Sequence, residues 1–174
     1  MGLEEERVRH RTRGFTIVEL LIVVACIGIL AAIAIPNLLM ALQRARQKRT
    51  MANMRNIATA WEARATDLSR YNAAGMSVDG MSQPITTTEL IGLVQPTYMK
   101  AMPTQDGWNN EFVYVTDQAL GGGSQAQRYA IISGARDGIV ENSPTLGPTS
   151  DLDCDIIFSN GTFLAYPEGL QTGR

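Results

Sequence analysis

The chain has 174 residues and a net charge of −2 at neutral pH, and 45% of its residues are hydrophobic. This balance argues against a general nucleic-acid binder, which would carry a basic surface. The one histidine, His10, lies in a charged N-terminal segment, so the rest of the chain lacks the imidazole that Ser-His-Asp catalysis, Cys-His catalysis and most zinc sites need. The roughly 120 residues beyond the N-terminal apolar region are enough for one small domain.

The first predicted element is an apolar run from Phe15 to Ile35, in which Glu19 is the only charged side chain. About 20 apolar residues of helix cross a bilayer core of about 30 Å, so the run predicts a transmembrane helix. A carboxylate so close to a spanning core is costly and usually marks function. Four arginines and Gly14 precede the run and no small-residue cleavage site follows it, unlike an ordinary secretory signal. From the residues alone, an uncleaved N-terminal anchor is an equally good interpretation.

Residues 13–37, RGFTIVELLIVVACIGILAAIAIPN, resemble the leader junction and N-terminal helix of type IV prepilins and of type II secretion pseudopilins. The resemblance implies that a prepilin peptidase cleaves after Gly14 and that the new N-terminus, Phe15, is methylated. It also implies that Glu19, the fifth mature residue, pairs with the N-terminal amine of a neighbouring subunit in a filament. A cation from a second subunit would offset the cost of a carboxylate in hydrocarbon. The alternative is that Glu19 only reaches the membrane interface.

The apolar run continues into an amphipathic segment, and together they predict one helix over residues 16–69. Pro36 should kink or loosen this helix, because it lacks the N–H of the helical hydrogen bond. Apolar residues then recur at helical spacing and predict a stripe that a sheet covers. The stripe consists of Met54, Ile57, Trp61, Ala65 and Leu68. The basic residues between 44 and 55 predict a solvated or headgroup-facing surface.

The remaining chain predicts a loop over residues 71–97, with a short helix around Thr88–Leu93 after a capping pattern. Residues rich in β-branched and aromatic side chains then alternate with turn signals, including Asn160-Gly161, and predict strands. The strand candidates are Glu111–Thr116, Gln127–Ser133, Asp155–Ser159 and Thr162–Tyr166. The predicted class is α+β, a pilin-like fold in which the long helix packs on a small antiparallel sheet of three to four strands. Its predicted parts are a leader over 1–14, a helix over 15–70 that is transmembrane over 15–35, and a globular domain over 71–174.

Two further segments, MPTQDGWNNEFVYV at 102–115 and RYAIISGARDG at 128–138, are similar to segments of the major pseudopilin of type II secretion. In that family the second segment ends in a calcium-binding loop, and hard cations are held by several oxygens. The calcium ligands that this resemblance suggests are Ser133, Asp137, Asp151, Asp153 and Asp155. The chain departs from the family, since DPWG has become DGWN and the loop after Gly138 lacks the usual glycine pair. A solvated acidic loop with turn-forming aspartates is therefore the alternative. Trp108 is predicted to pack under the sheet.

The function that these resemblances imply is a non-enzymatic one, the structural subunit of a periplasmic pseudopilus in type II protein secretion. The implied partners are copies of the same chain, the prepilin peptidase, an inner-membrane assembly platform and minor pseudopilins. The implied location is the inner membrane, crossed once, with the C-terminal domain in the periplasm. A type IV pilin for adhesion, motility or DNA uptake is the near alternative. A membrane-anchored enzyme or binding domain is the remote one, since the sequence shows no nucleophile–base pair, phosphate loop or Cys/His metal set.

Overall fold

The computed structural model describes residues 14–67, 83–117 and 128–172. Helix α1 spans Ile17–Asp67, which agrees with the predicted helix as far as the described residues extend. It continues through Pro36, where the side chain of Asn37 donates to the Ile33 carbonyl oxygen at 3.1 Å. The leader and the predicted boundary near residue 70 lie outside the described residues, so that division of the chain stays a prediction.

The chain divides into two compact units, Met1–Leu39 and Met40–Arg174. In the first, the described residues are Gly14 to Leu39, which are almost all exposed and apolar. Helix α1 is long and apolar enough here to cross a membrane, judged by length and composition. A helix that is apolar on every side needs lipid or other helices around it.

The second unit contains the rest of α1, a short helix α2 at Thr87–Val94, and a sheet. Within the described residues the sheet has six strands in the order β1-β2-β3-β5-β6-β4. Their bounds are β1 Gln83–Ile85, β2 Val113–Thr116, β3 Tyr129–Ser133, β4 Gly147–Asp151, β5 Ile156–Ser159 and β6 Thr162–Thr172. Neighbouring strands are antiparallel except β4 and β6, which are parallel.

The α+β class is therefore confirmed, but the prediction of a small antiparallel sheet of three to four strands is wrong. The four predicted strands correspond to β2, β3, β5 and β6, although Gln127 lies outside the described residues. The two unpredicted strands form the edges of the sheet, β1 with three residues and β4 with the sequence GPTSD. Neither strand carries the alternation of apolar residues that marks a half-buried strand. The parallel pairing begins at Ala165 and Tyr166, inside the predicted strand, and continues where β6 runs six residues beyond its predicted end.

The core lies between the second half of α1, α2 and one face of the sheet. Trp61 is the centre of this core, with its ring 4.7 Å from that of Tyr129 and 6.5 Å from that of Tyr114. Alternate residues of β3 face opposite sides, so Tyr129 and Ile131 join this core while Ala130 joins a smaller cluster. The predicted stripe on α1 is confirmed for Met54, Ile57, Trp61 and Ala65, and Leu68 lies outside the described residues.

Two local predictions are also confirmed. Helix α2 begins at Thr87, one residue before the predicted start, and a capping box between Thr86 and Glu89 caps it. The β5–β6 hairpin turns at Asn160 and Gly161, whose φ angles are 46° and 86°. Positive φ at both central residues is the requirement that Asn-Gly meets in a tight hairpin.

Candidate functional site

Glu19 forms a capping box with Thr16 at the start of α1. The Thr16 backbone N–H and hydroxyl donate to Glu19 Oε2 at 2.9 and 2.7 Å, and the Glu19 N–H donates to Thr16 Oγ1 at 3.2 Å. These bonds satisfy two N–H groups that a helix start otherwise leaves without partners. The carboxylate of Glu19 is thereby folded back onto the first turn of its own helix. Sequence reasoning missed Thr16, although Thr-x-x-Glu before an apolar run is a recognised signal.

The predicted junction residues lie directly before this box. Gly14 and Phe15 are outside the helix, and the Phe15 side chain is 76% exposed. A Cβ added at Gly14 would meet no atom within 4 Å. Gly14, Phe15 and Glu19 therefore lie within six residues at an accessible, apolar helix start.

A tight turn at residues 106–110 holds the sheet unit on the second half of α1. The buried carboxylate of Asp106 accepts hydrogen bonds from the backbone N–H groups of Trp108 and Asn110 at 2.8 and 2.9 Å. It also accepts from the hydroxyl of Ser133 at 2.7 Å. Asp106 therefore ties the turn to strand β3, a role that the sequence analysis did not assign to it.

The same turn contacts the helix through Gly107 and Trp108. The Gly107 N–H donates to Thr50 Oγ1 at 2.8 Å, and Trp108 Nε1 donates to Gln43 Oε1 at 2.7 Å. A Cβ on Gly107 would lie 2.3 Å from the carbonyl oxygen of Arg46, so only glycine permits this approach. Trp108 is half-buried against the core, as its predicted packing role requires, with an additional hydrogen bond to α1.

The five predicted calcium ligands have different surroundings in the structure. Ser133 faces Asp106 and also accepts from the Ala135 N–H at 3.2 Å. Asp155 Oδ2 accepts from the Glu141 N–H at 2.9 Å, while its Oδ1 is buried without a hydrogen-bond partner. Burial raises the pKa of Asp155 to about 6; the Glu141 N–H opposes this rise, and the charges of Glu141 and Asp137 add to it.

The other three predicted ligands line a cavity of about 330 Å³. The lining residues are Asp137, Glu141, Thr145, Asp151, Asp153 and Cys154. The guanidinium of Arg136 grips Asp153 with two hydrogen bonds, Nε to Oδ1 at 2.6 Å and Nη2 to Oδ2. Among the described residues, no three His, Cys, Asp or Glu side chains come close enough together to hold a metal ion. Calcium needs six to eight oxygens at about 2.3–2.6 Å, so the residues as arranged do not fit it. Calcium binding itself stays a prediction.

Comparison with known proteins identifies a sequence motif at the N-terminal end of the chain. The family described as "Prokaryotic N-terminal methylation motif" matches residues 9–35, which include Gly14, Phe15 and Glu19. Residues 9–35 thus carry the N-terminal methylation motif of type IV prepilins, and this motif together with the long apolar helix fits a protein anchored in the inner membrane.

The relatives of the chain fall into two groups. It is 26% identical to the type II secretion system core protein G of Klebsiella pneumoniae over 139 residues, which are 79% of this chain and 94% of that protein. It is 26% identical to the core protein G of Aeromonas hydrophila over 114 residues, 65% of this chain and 79% of the relative. It is 46% identical to the type IV major pilin protein PilA of Myxococcus xanthus over 66 residues, 38% of this chain, and spans only 30% of that pilin. No solved structure matches the chain significantly.

Proposed function

We propose that the chain is a structural subunit of a periplasmic pseudopilus in type II protein secretion, assembled by packing of α1. The observation that carries this proposal is the first half of α1, an exposed apolar helix that begins at a capped carboxylate. The relatives named core protein G support the secretion filament, because the Klebsiella protein aligns over most of both chains. These relatives are named as core proteins of a secretion system and as a pilin, which favours assembly over catalysis.

In this proposal two different environments cover the apolar surface of α1 at different stages of assembly. Lipid covers it while the subunit waits in the inner membrane with its globular unit in the periplasm, and the helices of other subunits cover it in the filament. A helix suits both environments because its backbone hydrogen bonds are internal. An inner-membrane assembly platform and minor pseudopilins would bring about the transfer.

Glu19 would set the register of each incoming subunit. Before assembly, Thr16 and the first turn of α1 satisfy its carboxylate. A neighbour's N-terminal ammonium carries a full positive charge, which the Thr16 donors lack, so an arriving subunit can draw the carboxylate away from its cap. A misplaced subunit would leave the charge without a cation in apolar surroundings, which is costly.

Processing at the junction would create that amine. The exposed Gly14–Phe15 bond lies outside the helix, where a prepilin peptidase can reach it. Cleavage after Gly14 gives Phe15 a free amine for methylation and leaves Thr16 as the second residue. Mass spectrometry of the membrane form should therefore show a chain that starts at methylated Phe15.

The register role is tested by three variants in a strain that assembles the filament. Glu19→Gln keeps an oxygen for the capping box but loses the charge, and we expect it to abolish assembly as Glu19→Ala does. Glu89→Ala is the matched control, because Glu89 forms the same box in α2 with bonds of 2.9, 2.8 and 3.3 Å. Normal filament yield from Glu19→Gln would show that Glu19 acts only as a helix cap.

A type IV pilus is the second candidate, favoured by the 46% identity to the Myxococcus pilin over 66 residues. Deletion of the gene distinguishes the two. Loss of a secreted protein from the medium, with surface pili unchanged, supports the pseudopilus. Loss of surface pili with normal secretion supports the pilus instead.

A further inference from the structure

The acidic loop between β3 and β5 contains one basic residue. Residues 133–155 are all described, and they carry Arg136 as their only cation. Their five carboxylates are Asp137, Glu141, Asp151, Asp153 and Asp155. Four of these five line the cavity described above. Such a concentration of like charge is unfavourable unless a cation neutralises part of it.

Arg136 connects the two ends of this loop. Its guanidinium binds both carboxylate oxygens of Asp153, and its backbone N–H donates to the Leu152 carbonyl oxygen at 3.3 Å. One residue thus joins the turn after β3 to the turn before β5 through both main chain and side chain. A guanidinium is charged at every ordinary pH, and the hydrogen bonds with Asp153 raise the pKa of Arg136 further.

We propose that the Arg136 guanidinium is the built-in cation of this loop, in the role that the resemblance gave to calcium. The loop then folds without a divalent metal. This inference concerns the loop alone and holds whether or not the chain forms a filament.

The partners of three of the other four carboxylates support the proposal. The carboxylates of Asp137, Asp151 and Asp155 accept from the backbone N–H groups of Ile139, Asp153 and Glu141 at 3.0, 3.1 and 2.9 Å. A divalent ion that bound Asp153 would have to displace the guanidinium that holds both of its carboxylate oxygens. Arginine suits the place because its planar fork binds a carboxylate through two parallel bonds and is more weakly hydrated than a small cation.

The test is thermal melting of the full chain in detergent, followed by tryptophan fluorescence, since Trp61 and Trp108 both lie in the sheet unit. Each sample is measured with EDTA and with about 5 mM calcium, above the dissociation constants of weak extracellular sites. The wild type should melt at the same temperature in both. Arg136→Ala should lose about 3 °C or more in EDTA. Calcium should restore part of that loss, because Asp153 and its neighbours are then without a cation.

Arg128→Ala is the matched control. Arg128 forms a single ion pair with Asp117 at 3.6 Å, and the exposure of its side chain, 29%, is close to the 31% of Arg136. We expect it to lose less than Arg136→Ala and to show no response to calcium. Arg136→Lys keeps the charge without the fork, so it should fall between wild type and Arg136→Ala and ignore calcium. If Arg136→Ala does not fold, the melting temperatures of Arg136→Lys and the wild type still test whether the two parallel bonds of the guanidinium stabilise the loop.

Three results would overturn the proposal. A wild type that calcium stabilises would show that the loop is a metal site after all. An Arg136→Ala variant that melts like the wild type would show that the guanidinium is not needed. A destabilised Arg136→Ala variant that ignores calcium would show that Arg136 acts by packing rather than as a cation.

Discussion

The two halves of α1 belong to one helix, but the side chains of the first half are exposed while a stripe of the second half is buried. Between residues 17 and 39 all side chains except those of Glu19 and Asn37 are apolar, and all residues except the half-buried Ala31 are exposed. Between residues 40 and 67 eight side chains are buried along one stripe. The first half therefore depends on lipid or other subunits for its environment, while the second depends on its own sheet. The helical backbone is the same in both halves, so secondary structure alone does not show whether lipid, other subunits or the sheet surrounds a given part of α1.

Polar contacts mark the beginning of the second half, before the apolar stripe starts. Gln43 accepts from Trp108, Gln47 donates to Gln171 at 2.9 Å, and Thr50 accepts from Gly107. The apolar contacts with the core begin at the half-buried Met51 and continue with the fully buried Met54. Directional hydrogen bonds thus fix where the globular unit holds the helix, and burial of the stripe supplies most of the stability.

The largest effect should come from shortening the same residue in each half. Ile57 is fully buried and Ile29 is 66% exposed. Ile57→Ala should lower the free energy of unfolding of the sheet unit by about 2–5 kcal/mol, because it removes buried methylene groups and leaves a cavity. Ile29→Ala should change it by less than about 0.5 kcal/mol. Denaturant unfolding in detergent, followed by near-ultraviolet circular dichroism, measures both; similar losses would mean that the two halves unfold as one.

A smaller effect should come from the turn that holds the helix. Gly107→Ala places a methyl group against the Arg46 carbonyl and should cost about 1–3 kcal/mol. Gly92→Ala in α2 is the control, since a Cβ there would meet no atom within 4 Å and should stabilise by about 0.5–1 kcal/mol. The same unfolding experiment measures both. A stable Gly107→Ala variant would show that the turn does not need its close approach to α1.

The sequence predicted the parts of this molecule that follow from strong local patterns. The apolar run, the stripe on α1, the Asn160-Gly161 hairpin and the α2 cap each depend on residues close in the chain. The edge strand β4 could not be predicted, because its sequence GPTSD lacks the apolar alternation of a strand and its parallel pairing with β6 is not a local feature of the chain. The ion pair of Arg136 with Asp153 joins residues 17 apart and depends on the path of the loop. Thr16 is different, since its capping pattern is local and could have been recognised.

The smallest effect concerns the two capping boxes, which are nearly identical in geometry but lie in different surroundings. Thr86→Val should cost the sheet unit about 1 kcal/mol, because α2 loses its cap. Thr16→Val should leave the free energy of unfolding of the sheet unit unchanged, because the first turn of α1 belongs to the other compact unit. It should instead speed amide hydrogen exchange in that first turn. Equal losses of stability from the two variants would contradict this separation.

The pH dependence of stability gives a second test of the capping box at α2. The hydrogen bonds from Thr86 lower the pKa of Glu89 from 4.5, so the ionised side chain adds stability above that pH. This contribution is lost as the pH falls through the folded-state pKa, because the folded state must then take up the proton that the unfolded state has already bound. Thr86→Val removes the hydroxyl bond to the carboxylate and should therefore make the acid loss of stability shallower. Thr16→Val should leave the acid unfolding curve of the sheet unit as it is in the wild type, because the box at Glu19 contributes nothing to that unit's folding.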